Sequence, residues 1–234
     1  MQSIFFKLYR PVGCPRITVE FLNRWGADEI IIIDLDAAHG ISAVNSDLIS
    51  DMVKHSDVPL SYGGGLRSLE DVDSVFRSGV DKVIFNQALE SNKSLVLEVI
   101  DRYGSQAVIG SFDIKYDEKG WKIYNYKDRC SMPELSIYNS VSQLGLGEVF
   151  VNVVDRDGSR KGYDLPLCQE LSQKLTVPLI FGGGCFNATD MADLFFACPE
   201  LSAAAAGNFF HFTELSVRNV KTQLSKNFPI RLPY

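Results

Sequence analysis

Short apolar runs alternate with amphipathic stretches from one end of the chain to the other. Runs rich in Val and Ile at 29–34, 59–62, 82–85, 107–112, 148–154, 178–181 and 202–206 predict strands. They are apolar throughout instead of alternating, the pattern of parallel strands buried on both faces. Helical spacing of apolar residues lies between them, for instance at 69–78, 94–103, 165–175 and 214–225. Strands and helices that alternate without a linker or low-complexity break predict a single α/β domain over residues 1–234.

The pattern also repeats. VPLSYGGG at 58–65 returns as VPLIFGGG at 177–184, a shift of 119 residues. The same shift lays GADEIIIIDLD (26–36) on GLGEVFVNVVD (145–155), Ile4 on Ile123 and Arg10 on Arg129. A duplication of this kind predicts two half-barrels, about 1–103 and 104–234, that together make a (β/α)₈ barrel. One strand lacks its mate. AVIGSFD ends at Asp113, and the shift carries its counterpart ahead of Met1. The first barrel strand is therefore expected either upstream of this sequence or not at all, leaving an open edge of unpaired backbone groups.

Charge and composition narrow the partners. With 29 acidic against 23 basic residues, the net charge of −6 argues against nucleic acid or an anionic membrane surface. An acidic chain that binds anions must do so with local backbone donors. No apolar run approaches the ~20 residues of a membrane helix, and the opening MQSIFFKLYR lacks the layout of a signal peptide. The cysteines (Cys14, Cys130, Cys168, Cys185, Cys198) are odd in number and without CxxC spacing, which predicts reduced thiols and a cytoplasmic protein.

Two glycine triplets carry the most specific chemistry. Each follows a strand and precedes a helix, where main-chain N–H groups and a helix N-terminus can meet a phosphate. Gly182, Gly183 and Gly184 with Gly207 and Asn208 form one candidate site; Gly63, Gly64 and Gly65 with Asn86 and Gln87 form its symmetry mate. A tight turn also uses glycines, but two triplets related by the repeat, each with a matching partner turn, favour phosphate. Anion sites on opposite rims imply a long substrate phosphorylated at both ends. Asp34, Asp36, Asp113, Asp155 and Asp157 all fall where a strand runs into its loop, the rim that carries barrel active sites. Such an aspartate is either a cap or brace, or a general acid or base with a tuned pKa. Asp113 and Asp157 are the catalytic candidates, and Asp34, Asp155 and Asn152 are candidate substrate contacts.

The motifs GADEIIIIDLDAA, YGGGLRSLEDV, GVDKVIFNQAL, GSQAVIGSFDIK, GEVFVNVVDRDGSRKGYD and GNFFHF, in this order, resemble those of the cyclase subunit (HisF) of imidazole glycerol phosphate synthase, over essentially the whole chain. The resemblance implies a (β/α)₈ fold, a glutaminase (HisH-like) partner under the barrel, and ammonia passing through the core. It implies a reaction that joins ammonia to a bis-phosphorylated ribulosyl aminoimidazole carboxamide nucleotide, giving imidazole glycerol phosphate and an aminoimidazole ribotide, with no metal or organic cofactor. Asp113 matches the family's second catalytic aspartate. Gly64, Gly65 and Asn86 match one phosphate site, and Gly183, Gly184 and Asn208 the other. Glu29, Lys82 and Glu148 match three of the charges that gate the ammonia entrance, although a ring of these charges is also a plain ion-pair network. The departures are Asn208 for a usual serine, Asn152 for threonine, Tyr62 for valine, and a missing strand that carries the first catalytic aspartate and the gate's arginine. Asn152 and Tyr62 are similar to HisF-like paralogues that amidate sugars for surface polysaccharides. The expected function is the synthase reaction; the alternatives are sugar amidation and an inactive barrel kept as a glutaminase partner.

Overall fold

The computed structural model describes residues 2–11, 13–126, 130–132, 135–211 and 216–232. In chain order its elements are β1 (Gln2–Ile4), β2 (Leu8–Arg10), α1 (Pro15–Arg24), β3 (Ile30–Ile33), α2 (Leu35–His39), α3 (Ser46–Val53), β4 (Leu60–Gly63), α4 (Leu69–Arg77), β5 (Lys82–Phe85), α5 (Ala88–Ser91), α6 (Lys93–Tyr103), β6 (Val108–Asp117), β7 (Gly120–Asn125), β8 (Cys130–Met132), α7 (Leu135–Leu144), β9 (Glu148–Val153), α8 (Leu165–Lys174), β10 (Leu179–Gly182), α9 (Ala188–Ala197), β11 (Ala203–Ala204) and α10 (Ser216–Leu224).

The predicted apolar runs all lie in one parallel sheet, ordered β11-β10-β9-β6-β5-β4-β3. Four consecutive isoleucines make β3, where β-branched side chains suit a pleat packed on both faces. On the outer face, Val72 and Val75 of α4 and Leu167 and Leu171 of α8 bury against Leu60, Val83, Val149 and Val151. The inner face holds a smaller cluster of Ile84, Ile109 and Ile180, with Ile31, Phe150, Ala203 and Ala205 against it. This is the two-sided packing of a (β/α)₈-type barrel.

Among the described residues nothing pairs with the outer edge of β3 or of β11, so the sheet is open at the place where the repeat lacks a strand. The seam is flanked by Val19 and Leu22 of α1 and by Val217 and Val220 of α10, and it joins a cavity of about 1800 Å³ that reaches the rim. No helix among the described residues is long and apolar enough to cross a membrane.

Two details depart from the sequence pattern. The run expected at 107–112 extends to Asp117, because beyond Asp113 the strand leaves the barrel and pairs antiparallel with β7, which pairs with β8. The repeat of this hairpin is β1–β2, also antiparallel, with Ile4 opposite Leu8. The run at 202–206 shortens to Ala203–Ala204. Arg129, Phe212 and residues 214–215 of the expected last helix lie outside the described residues.

Candidate active site

The two glycine triplets stand at equivalent places. β4 and β10 are each second from a free edge of the sheet, and both triplets line the one cavity. Gly64 has φ +111° and passes so close to β3 that a Cβ would sit 2.2 Å from the Asp34 carbonyl oxygen. Gly184 has φ +100°, and its Cβ would sit 2.1 Å from the Gly162 carbonyl oxygen. Only glycine fits either turn. Among the described residues no acceptor takes the main-chain N–H groups of Gly64, Gly65, Gly183, Gly184 or Gly207. These are donors left over for a ligand.

The helices behind the triplets contribute less than their sequence position suggests. Ser68 and Asp71 close a capping box at the start of α4, and Asn187 and Asp190 close its repeat at α9. Asp71 Oδ2 accepts from the N–H groups of Arg67 and Ser68; Asp190 Oδ2 accepts from those of Phe186 and Asn187. The capping boxes thus take up part of each helix start, the N–H groups of Ser68 and Asp71 at α4 and of Asn187 and Asp190 at α9, and the unpaired donors of the glycine turn stand in front of what remains.

Asp113 lies on β6, on the inner face of the barrel and only 8% exposed. Burial pushes its carboxyl up to about 7; the Asn86 amide counters this and the nearby charge of Asp157 adds to it. A carboxyl poised near neutrality can both give and take a proton. Asn86 Nδ2 donates to Asp113 Oδ2 at 3.0 Å and to the Ser111 carbonyl at 3.1 Å. Asp157 is also raised by burial, opposed by the Ser3 hydroxyl and the N–H groups of Phe6 and Phe5. The Ser3 hydroxyl donates to Asp157 Oδ2, and the Phe5 N–H donates to the Asp157 carbonyl at 3.1 Å. Asn208 Nδ2 donates to the Ser3 carbonyl at 3.0 Å. The β1–β2 hairpin thus lies across the second anion turn, a contact between residues more than 150 positions apart in the chain that no local motif signals.

Asp34 is both cap and wall. Its Oδ1 accepts from the Ala37 N–H at 2.9 Å to start α2, and its Oδ2 accepts from the fully buried Tyr62 hydroxyl at 3.0 Å. Asn152 is in register between Asp113 of β6 and Gly182 of β10, and lines the cavity. Asp155 does not: its carboxylate accepts from the Tyr116 N–H at 2.7 Å, bracing the extension of β6. Its carboxylate is thereby engaged with the β6 extension, and Asp155 is not among the residues that line the cavity. Ser3 and Gly158, which faces Ser3, join the site without having been singled out for it from the sequence, and Tyr62, noted there only as a departure from the family's valine, joins it too.

At the opposite mouth, Lys82 Nζ donates to Glu148 Oε1 at 2.7 Å and to Glu29 Oε2 at 3.1 Å. Burial alone would lower its pKa, but the two carboxylates more than offset that and raise it, so the ammonium stays charged. Beside them Lys221 of α10, 6% exposed, pairs with Asp28 at 2.6 Å.

The model of the family described as "Histidine biosynthesis protein" matches residues 2–216. Imidazole glycerol phosphate synthase subunit HisF of Clostridium botulinum (strain Langeland) is 32% identical over 237 residues, covering 99% of this chain and 93% of that protein. HisF of Clostridium beijerinckii is 33% identical over the same coverage, and HisF of Alkaliphilus metalliredigens 31% identical over 227 residues, 96% and 90% of the two chains. Paired glycine turns, a buried aspartate between them and full-length kinship with these subunits lead to one conclusion: the chain belongs to the histidine biosynthesis protein family.

Proposed function

We propose that this chain is the cyclase subunit of an imidazole glycerol phosphate synthase, using ammonia from a glutaminase to convert a bis-phosphorylated ribulosyl aminoimidazole carboxamide nucleotide. The observation that carries the reading is Asp113, held near neutral pKa at the inner rim of a cavity that also contains both glycine turns. The free N–H groups of Gly64 and Gly65 would hold one phosphate, and those of Gly183, Gly184 and Gly207 the other. The reacting centre then lies between them, within reach of Asp113 and Asp157, one giving a proton while the other takes one. Ammonia would enter past Glu29, Lys82 and Glu148. Inside the barrel the Ser61 hydroxyl is fully buried with no hydrogen-bond partner among the described residues, a polar stop beside the isoleucines of the inner face. The four cysteines described are free thiols, in keeping with work in the cytoplasm.

The test is turnover of the ribulosyl nucleotide by the purified chain in ammonium salt at alkaline pH, where free ammonia is available, followed as imidazole glycerol phosphate formed. Addition of a glutaminase subunit and glutamine should restore turnover without the salt. A chain that binds the nucleotide and a glutaminase but forms no product is an inactive barrel; one that does not bind the nucleotide sinks the substrate assignment.

A further inference from the structure

The side chain of Asn86 is spent inside the protein. Both protons of its amide nitrogen point at fixed acceptors, Asp113 Oδ2 at 3.0 Å and the Ser111 carbonyl at 3.1 Å, and neither is solvent. The two acceptors also settle which way the amide faces, because its oxygen could not occupy that position without meeting two oxygens. Asn86 sits directly after β5, one strand away from Asp113 on β6, so the short side chain spans neighbouring strands at the rim.

We infer that Asn86 is a positioning residue for Asp113 and not a phosphate ligand through its side chain: it holds Oδ2 as a permanent acceptor and leaves Oδ1 as the oxygen that carries and exchanges the proton. A neutral carboxyl has one proton to place. With Oδ2 already accepting from Asn86, the proton belongs on Oδ1 in the protonated state. When Asp113 ionises, the same bond stabilises the carboxylate. The other groups facing Asp113 act differently. Asp157, from the loop after β9, opposes ionisation, while Tyr9 of β2 and Tyr126 beyond β7 are neutral neighbours whose own ionisation Asp113 suppresses. The inference rests on the reading of Asp113 as the acid–base group, and its test can fail separately from that reading.

Asn86→Leu keeps the branched shape and removes the donor; Asn86→Ser is the smaller alternative should the first fold poorly. The carboxyl titration of Asp113 is read by NMR on the ligand-free chain with labelled aspartate, the signal identified by its loss in Asp113→Asn. Either variant is expected to raise the Asp113 midpoint by about one pH unit, because a hydrogen bond to the charged form is lost. In active enzyme the limb of the kcat profile assigned to Asp113 should move by the same amount. Inorganic phosphate should bind both turns within about twofold of the unaltered chain. An unmoved midpoint overturns the inference, as does a tenfold loss of phosphate binding at the Gly64 turn. A moved midpoint in a chain that never turns over the nucleotide keeps Asn86's role and removes the proposed reaction instead.

Discussion

A carboxyl driven toward neutrality by burial makes folding depend on pH. In the unfolded chain Asp113 titrates near 3.9; in the fold its midpoint is about 7. Between these values the folded state holds the proton and the unfolded state does not, so stability falls as pH rises from about 4 to about 7 and stays reduced above. Asp113→Asn removes the ionisable group and keeps its shape. Its melting temperature should exceed that of the unaltered chain at pH 8 by the equivalent of at most about 4 kcal/mol, with the gain shrinking toward pH 4. The same variant should lose turnover by about 10²-fold or more, the usual weight of an acid–base group. A variant that is as active as its parent, or no more stable at pH 8 than at pH 4, makes Asp113 a structural residue. Its place on the rim could be seen in the strand ending at AVIGSFD, but its environment could not: Asn86 and Asp157 reach it from other strands.

At the scale of elements, the glycine turns are the parts that tolerate least. Gly64→Ala and Gly184→Ala each force a Cβ onto a backbone oxygen at a positive φ, and each should abolish one phosphate site while leaving its mate. Calorimetry with inorganic phosphate would then read two sites in the unaltered chain and one in each variant; two sites in a variant, or none in the parent, refutes the pairing. The triplets were legible because VPLSYGGG and VPLIFGGG announce them, and the barrel strands because their apolar runs are unbroken. The hairpins β1–β2 and β7–β8 were not. Their residues, such as Trp121, Lys122 and Ile123, alternate in a way that carries no sign of standing outside the barrel, and β7 pairs with the part of β6 that runs beyond it. Tyr62 stood out in the sequence as a departure from the family's valine, but only the fold brings its hydroxyl to Asp34.

The whole molecule is organised around its seam. β3 and β11 each present backbone donors and acceptors that lack a ladder partner among the described residues, and each recovered ladder hydrogen bond would contribute about 0.5–1.5 kcal/mol net. The repeat says what fits there: a segment like β6 leading into β1 as β6 leads into β7. Placing a copy of residues 108–119 ahead of Met1 puts every added residue at its repeat position. This extended chain should melt about 5–10 °C higher, as several recovered hydrogen bonds require for a chain of this size, and should lose any concentration-dependent self-association in sedimentation. If the chain of 234 residues is monomeric and melts as high as the extended one, the seam is not a liability.

An open seam has a geometric consequence for recognition. In a closed barrel the strand number and shear dictate the radius, and the span between opposite turns is a constant of the architecture. Among the described residues the sheet has two unpaired edges; in that state no closure condition holds, and the curl would be free to vary, much as in a C-shaped spring. The Gly64 and Gly184 turns stand near its two tips, so the gap they measure follows the curl. A molecule with a phosphate at each end acts as a strut between the tips, and filling the seam presets the calipers to one opening. Selectivity for ligand length would then come from what occupies the seam as much as from the residues that touch the ligand.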